Sequence, residues 1–340
     1  MTIKNKILPE ERRYKLKLIL ESKPMIRVIE VHNGISGLVG DNAFFMNGNV
    51  KKEFDALWIS SLTDSVSKGY PDEEIVSIDS RMNTVNQIID VTKKPILYDA
   101  DTGGFPEQLN YLVKQLEKAG VSGIVVEDKK YPKSNSLLQN ACHKLEDPNV
   151  FAKKITYAQN SKKIENFMIL ARIESLICGE SQNEAVERAK TYLEAGADGI
   201  MIHSKENNPD SILEFAKRYN QLKFPEQRKP LMAVPTTYHT IQEDELLNAG
   251  FNIVLYANHQ LRAAYKSMME VCKKILQHER ASEAEILCAS LKDVLEPVGS
   301  TRTYEAEYKS SDSNKLGVDK KRNADKENVN NNVLRAGFRL

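Results

Sequence analysis

Leu116-Glu-Lys-Ala-Gly-Val-Ser-Gly-Ile-Val-Val-Glu-Asp-Lys129 holds three signals in a row: a helix-like segment stopping at Ala119-Gly120, an apolar β-branched run over 123–127, and a charged end. Glycine at a helix C-cap takes positive φ at little cost. A continuous apolar run suits a parallel strand covered on both faces. The phrase recurs: Ala195-Gly196 precedes a run over 199–203, and Ala249-Gly250 precedes one over 252–256. Runs of the same kind lie at 26–31, 56–62, 95–99, 167–172 and 230–234, which makes eight. Eight such strands alternating with helical segments predict an α/β fold, a (β/α)8 TIM barrel.

The flanks read differently. Residues 10–22, with Pro9 near the start, predict an amphipathic helix lying over the bottom of the barrel. From about residue 309 Lys, Asn, Asp and Ser dominate, and before Val333 only Leu316, Val318 and Val329 are aliphatic residues larger than alanine. Such a segment cannot bury a core, and we expect it to be disordered. The expected organisation is a capping helix over 1–24, a barrel catalytic domain over 25–308 and a tail over 309–340.

Composition excludes several classes. The 340 residues are 41% hydrophobic, enough for a large core, and the net charge of +1 argues against a nucleic-acid binder. No apolar run is long enough for a bilayer, and 1–6 is too polar to begin a secretory leader. The four cysteines form no C-x-x-C pair, as expected of reduced thiols in a cytoplasmic protein.

Barrel chemistry collects where strands end. The residues there are His32-Asn33, Ser60-Ser61, Asp99 and Asp101, Glu127 to Lys129, Arg172 and Glu174, His203, 235–237, and Asn258-His259. Asp99, Asp101 and Glu127 put three carboxylates on neighbouring strands. A single strand-end Asp more often pairs with a cation, but three together suit Mg²⁺, a hard ion that keeps several waters. Arg172 offers a fork that matches phosphate oxygens, and His203 could add a hydrogen bond. Alone, His203 would read as a satisfied core residue. Two polar stretches with Gly or Pro punctuation, 63–74 and 129–136, read as mobile loops able to close over a substrate. They carry Asp72, Lys133 and Asn135, each unremarkable in isolation.

Glu127-Asp-Lys, five residues, then Asn135-Ser136 resembles the E-D-K-x5-N-S signature of the phosphoenolpyruvate phosphomutase family, within the isocitrate lyase superfamily. Further matches follow in the same order: His32-Asn-Gly34, Trp58-Ile-Ser-Ser-Leu62, Asp99-Ala-Asp-Thr-Gly103, Ala171-Arg-Ile-Glu174, His203-Ser-Lys205, Val234-Pro-Thr236, Ala257-Asn-His259 and Leu261-Arg-Ala263. The resemblance covers about 25–308. It implies interconversion of phosphoenolpyruvate and phosphonopyruvate, the entry step to phosphonates, with a downstream enzyme drawing off phosphonopyruvate. It implies Asp99 as a direct Mg²⁺ ligand, with Asp101 and Glu127 acting through waters. Ser60 with the Ser61 and Leu62 amides, beside Trp58, would hold the substrate carboxylate. Arg172 and His203 would contact the phosphoryl group, Lys133, Asn135 and Ser136 would come from the gating loop, and Asp72 would lie near the reacting carbon. Family members also imply a dimer or tetramer that exchanges the eighth helix, here about 259–277.

Some positions depart from the pattern. The segment 34–55 is longer than in short mutases, Ser61 replaces a common glycine, and Gly104-Phe105 follows the Asp-x-Asp-Thr-Gly motif. Tyr70-Pro71-Asp72 is similar to the loop of phosphonopyruvate hydrolase, which cleaves the carbon–phosphorus bond instead. That relative tends to carry Thr where this chain has Asn135. The Lys-Lys-Cys-Gly-His motif of the carbon–carbon lyases is missing. A barrel that only binds a partner through its tail is the remaining reading, and the charged rim argues against it.

Overall fold

The computed structural model describes residues 7–137, 143–224 and 227–299. These residues form two compact units that divide after Glu279. The larger unit is the barrel. Its strands are β1 (Ile26–Val31), β4 (Ala56–Ile59), β5 (Ile96–Asp99), β6 (Gly123–Glu127), β7 (Met168–Ile173), β8 (Gly199–Ile202), β9 (Leu231–Ala233) and β10 (Ile253–Tyr256). All pair in parallel and the sheet closes, β1 meeting both β4 and β10. Each of the eight apolar runs holds one barrel strand. The Ala-Gly endings hold as well: Gly120, Gly196 and Gly250 have φ of 87°, 100° and 98°.

The apolar runs conceal an alternation that positions the site. One residue in two faces the helices: Ile29, Leu57, Tyr98, Ile124, Val126, Ile169, Ala171 and Ile200 belong to the outer core. The residues between them fill the barrel interior: Val28, Trp58, Leu97, Val125, Leu170, Met201, Met232 and Leu255. Two residues further along each strand, on the same inward face, come Glu30, Ser60, Asp99, Glu127, Arg172, His203, Val234 and Ala257. The interior therefore ends in a mostly polar layer. Register pairs Glu127 with Arg172 side by side on β6 and β7.

The bottom is closed by α1 (Pro9–Ser22). Its buried face differs from a simple apolar stripe: it is Arg12, Arg13 and Leu16. Leu16 joins the interior apolar cluster. Arg12 donates to the Ile89 and Thr92 carbonyls at 3.1 and 3.0 Å, and Arg13 to the Glu117 carbonyl. These carbonyls lie at or just past the C-terminal ends of α4 (Ile78–Ile89) and α5 (Pro106–Ala119), so α1 serves as their cap. Gly120 must be glycine twice over, since an added Cβ would lie 2.6 Å from the Pro9 Cα.

The long segment 34–55 becomes α2 (Gly34–Asn42) and an antiparallel hairpin, β2 (Phe44–Asn47) with β3 (Val50–Glu53). Phe44, Phe45, Met46 and Val50 on it are exposed. The 63–74 stretch is not all loop. α3 (Ser61–Ser67) occupies its start, capped by the Ser60 hydroxyl, and the irregular connection begins at Lys68. The other barrel helices are α6 (Pro148–Ser161), α7 (Gln182–Glu194), α8 (Asp210–Tyr219), α9 (Glu243–Asn248) and α10 (His259–His278). α10 starts against β1, where Glu30 accepts the Gln260 amide at 3.0 Å, but it buries none of its 20 residues. The smaller unit includes a short helix, α11 (Leu291–Leu295), with no buried residue. The expected tail, 309–340, and 300–308 of the expected barrel span lie outside the described residues.

Candidate active site

The inward layer opens into a narrow cavity lined by Trp58, Ser60, Ser61, Leu62, Asp72, Asp99, Lys133, Asn135, Ser136, Leu137, Arg172 and His203, together with β8–β10 residues up to Asn258. All the substrate-binding and catalytic positions expected from the sequence meet there. Asp101 and Glu127 do not line it, but each touches a residue that does. The free volume is about 50 Å³, room for a few waters.

One half of the site is built on strand ends. The Asp99 carboxylate accepts the Ser61 amide at 3.2 Å and the Ser61 hydroxyl at 2.9 Å. Asp101 sits in the left-handed region at φ 53°, which Asp tolerates better than most residues. Its Oδ2 accepts from Arg81 at 2.8 Å. Arg81 is sandwiched between that carboxylate and the Tyr98 ring, 4.2 Å from the centroid. Burial works against its charge, but Tyr98, Asp101, Asp99 and Asp64 outweigh that and raise its pKa. Arg172 lies 3.3 Å from Glu127, bonds Glu174, and donates to Ser136 at 2.9 Å. His203 Nδ1 is 3.0 Å from Glu174 and 3.1 Å from Arg172. Burial lowers its pKa in spite of Glu174, which favours a neutral ring.

The other half comes from loops. The Lys133 ammonium donates to the Ser61 hydroxyl at 2.9 Å and forms ion pairs with Asp101 at 2.6 Å and Asp72 at 3.0 Å. Burial opposes its charge, but Asp101, Glu127 and Asp72 hold the pKa well above the ordinary lysine value. Asn135 donates to the other Asp72 oxygen at 2.7 Å. The Ser136 hydroxyl accepts from Lys129 at 2.6 Å and donates to Glu174 at 2.6 Å.

Asp72 and Asp101 each keep one buried oxygen that meets the Lys133 ammonium as an ion pair without a hydrogen bond, and Glu127 goes further. Neither of its buried carboxylate oxygens has a hydrogen bond. Burial, against Arg172 and Lys129, pushes its carboxyl up to about 7. Two acceptor oxygens left without donors are what a cation with its water shell would satisfy. Among the described residues no three His, Cys, Asp or Glu side chains stand close enough to ligate a metal directly. The carboxylates at this rim offer oxygen donors, the chemistry that a hard cation prefers.

Sequence reasoning missed Arg81, Lys129, Glu74 and the role of Glu174. Arg81 had a signal: with Val85 and Ile88 it lies on the buried face of α4, and a cation on a core stripe needs a partner. Lys129 and Glu174 stood at strand ends without assigned tasks. Glu74 had no signal.

A closed parallel barrel whose C-terminal rim gathers carboxylates, Arg172 and a lysine-bearing loop defines a barrel enzyme for a small anionic substrate. The chain belongs to the phosphoenolpyruvate phosphomutase family, whose model matches residues 16–276. It is 34% identical over 295 residues to the phosphoenolpyruvate phosphomutase of Tetrahymena pyriformis, covering 86% of this chain and 93% of that one. A solved phosphoenolpyruvate phosphomutase from Streptomyces platensis subsp. rosaceus superposes with a TM-score of 0.78 at 30% identity, covering 88% of this chain and 98% of the other. A phosphonopyruvate hydrolase solved with oxalate and Mg²⁺ superposes at 0.76 and 32% identity, covering 87% and 98%.

Proposed function

We propose that this chain interconverts phosphoenolpyruvate and phosphonopyruvate by moving the phosphoryl group between the enol oxygen and C3 of one molecule. The observation that carries the reading is the Asp72–Asn135–Lys133 cluster over the cavity, with Asn135 Nδ2 2.7 Å from Asp72. An amide at that position can orient a substrate without activating water, whereas a hydrolase must bring water to phosphorus. Arg172 and His203 would hold the phosphoryl oxygens, and Ser60 with the Ser61 and Leu62 amides the carboxylate. The small cavity implies that the 129–136 loop lifts to admit substrate and closes to exclude water while the loose phosphoryl group is in transit.

Mg²⁺ is the cofactor this site fits, held by Asp99 directly and by Asp101 and Glu127 through waters. It would supply charge neutralisation for the enolate and phosphoryl oxygens. The partner is a small-molecule substrate, and the unfavourable formation of phosphonopyruvate calls for a downstream enzyme that consumes it. We read the protein as cytoplasmic. Among the described residues no helix is long and apolar enough to cross a membrane.

A homo-oligomer, dimer or tetramer, with an exchanged eighth helix is the assembly we propose. Tyr265, Met268, Met269 and Leu276 leave an apolar face of α10 uncovered. A groove of about 500 Å³ lined by Ile29, Phe44, Phe45, Phe54 and Tyr256 lies beside β1 and β10. Light scattering on the purified chain tests this, and a monomer at micromolar concentration would exclude it.

Phosphorus NMR with phosphonopyruvate and Mg²⁺ tests the reaction. Phosphoenolpyruvate should accumulate. Inorganic phosphate with pyruvate and no phosphoenolpyruvate would instead make the chain a phosphonopyruvate hydrolase.

A further inference from the structure

Glu74 is outside the groups assigned above, yet its one carboxylate joins three separate segments. Oε1 accepts the Thr102 amide at 2.9 Å and the Thr102 hydroxyl at 2.8 Å. Oε2 accepts the Lys133 amide at 3.1 Å. Thr102 is fully buried, and its carbonyl accepts from the buried Lys154 ammonium of α6 at 2.7 Å. The Asp99–Thr102 turn is therefore a fixed point of the barrel. Glu74 itself is one of only three described non-glycine residues with positive φ, at 57°. For a residue without Asn or Asp chemistry that conformation costs energy, and its carboxylate bonds are what hold it.

Two residues earlier, Asp72 bonds the side chains of Lys133 and Asn135. The 68–77 connection thus grips the 129–136 loop twice, once through side chains facing the cavity and once through Glu74 on the Lys133 backbone. Both grips reach the barrel: the first through the Lys133 ammonium on Asp101 and Ser61, the second from the Glu74 carboxylate to the Thr102 turn. The Phe105–Tyr131 ring contact, 5.8 Å between centroids, runs along the same seam but is exposed to solvent.

We propose that Glu74 is a positioning residue that latches both loops onto the Thr102 turn and so sets how tightly the cavity is sealed against water. The chemical consequence rests on the phosphomutase reading; the mechanical one does not. With the latch loosened, water reaches the phosphoryl group. The carbon–phosphorus bond of phosphonopyruvate then breaks, a phosphorus–oxygen bond to water forms, and a proton from water ends on C3. Pyruvate and phosphate leave in place of phosphoenolpyruvate.

The test uses the full chain with Glu74→Ala and Glu74→Gln. Hydrogen exchange in the free protein reads the latch, and phosphorus NMR of phosphonopyruvate turnover with Mg²⁺ reads the seal. In Glu74→Ala, amide exchange at Lys133 and Thr102 should quicken about tenfold or more, since three bonds to a charged acceptor are lost. The phosphate share of product should rise several-fold, and kcat should fall more than KM rises. Glu74→Gln keeps one acceptor oxygen for Thr102 and should lie between wild type and Ala in every readout. Thr102→Val removes one of the three bonds and gives a smaller change in the same direction, which keeps the proposal testable if Glu74→Ala folds poorly. Unchanged exchange at Lys133 in Glu74→Ala overturns the latch. Faster exchange with an unchanged phosphate share overturns the seal. If the wild-type chain does not turn over phosphonopyruvate at all, the phosphomutase reading fails, and the exchange data alone decide the latch.

Discussion

The two ends of this barrel both bury arginines, and they use them in opposite ways. At the bottom, Arg12 and Arg13 face backbone carbonyls at helix ends. At the top, Arg81 and Arg172 face carboxylates. Burial lowers the pKa of Arg12, with only the Asp41 and Asp90 charges to oppose it. Burial also opposes the charges of Arg81 and Arg172, but neighbouring carboxylates outweigh it and raise both. A guanidinium on carbonyls completes backbone bonding and belongs to folding. A guanidinium among carboxylates fixes charges that folding alone would never assemble. Such clusters cost stability and persist where function needs them.

That contrast is sharpest at Asp99. Its carboxylate makes two hydrogen bonds to Ser61 and has no arginine of its own. Asp99→Ala should abolish turnover, by about a thousandfold or more, the several kcal/mol that a metal at this position supplies. The melting temperature should hold or rise, because one negative charge leaves a crowded rim. Phosphorus NMR and a thermal melt measure both. Activity within tenfold of wild type in Mg²⁺ buffer would break the metal assignment.

Asp72→Ala probes the loop side of the same rim. Among the described residues Asp72 meets Lys133 and Asn135, both in the other loop. We expect a loss of about a hundredfold in kcat, typical of a misplaced reacting group, with the far-ultraviolet spectrum and melting temperature unchanged. Wild-type kinetics would make this loop a bystander.

How much of this was legible in the sequence follows from the same division. The eight strands were legible because parallel strands buried on both faces read as unbroken apolar runs, and positive-φ glycines end three of the helices before them. Strand-end residues such as Asp99, Glu127, Arg172 and His203 followed from the barrel rule. Asp72, Lys133 and Asn135 were legible only through a motif, because loop residues obey no period. α3 was taken into a loop, since Ser61-Leu-Thr-Asp-Ser-Val-Ser67 is short and polar and its helix depends on the Ser60 cap. Which face of α1 is buried was not legible, because arginines that cap carbonyls read as solvent-facing. Glu74 was invisible: its partners stand 28 and 59 residues away, on segments with no shared pattern.

Arg81→Lys sharpens the comparison at smaller effect. Lysine keeps the charge but loses the planar fork that stacks on Tyr98 while bonding Asp101. Loss of a partner that orients a metal-site carboxylate costs about 10- to 100-fold in metal affinity or activity. We expect the Mg²⁺ concentration for half-maximal rate to rise by that factor, with less change in maximal rate. An unchanged Mg²⁺ dependence would place Arg81 with the arginines of the bottom, as a structural residue only.

Arg12→Ala is the complementary experiment, with the smallest expected effect on activity. The substitution strands the Ile89 and Thr92 carbonyls, which costs about 1–3 kcal/mol, while releasing a guanidinium whose charge burial disfavours. The net loss should be about 1–2 kcal/mol, a drop of roughly 2–8 °C in melting temperature for a domain of this size. Below the melt, kcat should stay within about twofold of wild type. The interior between the two ends is an apolar plug that includes Leu16, Val28, Trp58, Leu97, Val125 and Leu170, and apolar packing offers the bottom no directional bond to the rim. A tenfold fall in kcat at a temperature where Arg12→Ala remains folded would mean that this plug transmits strain, and the separation between a folding end and a chemical end would have to be given up.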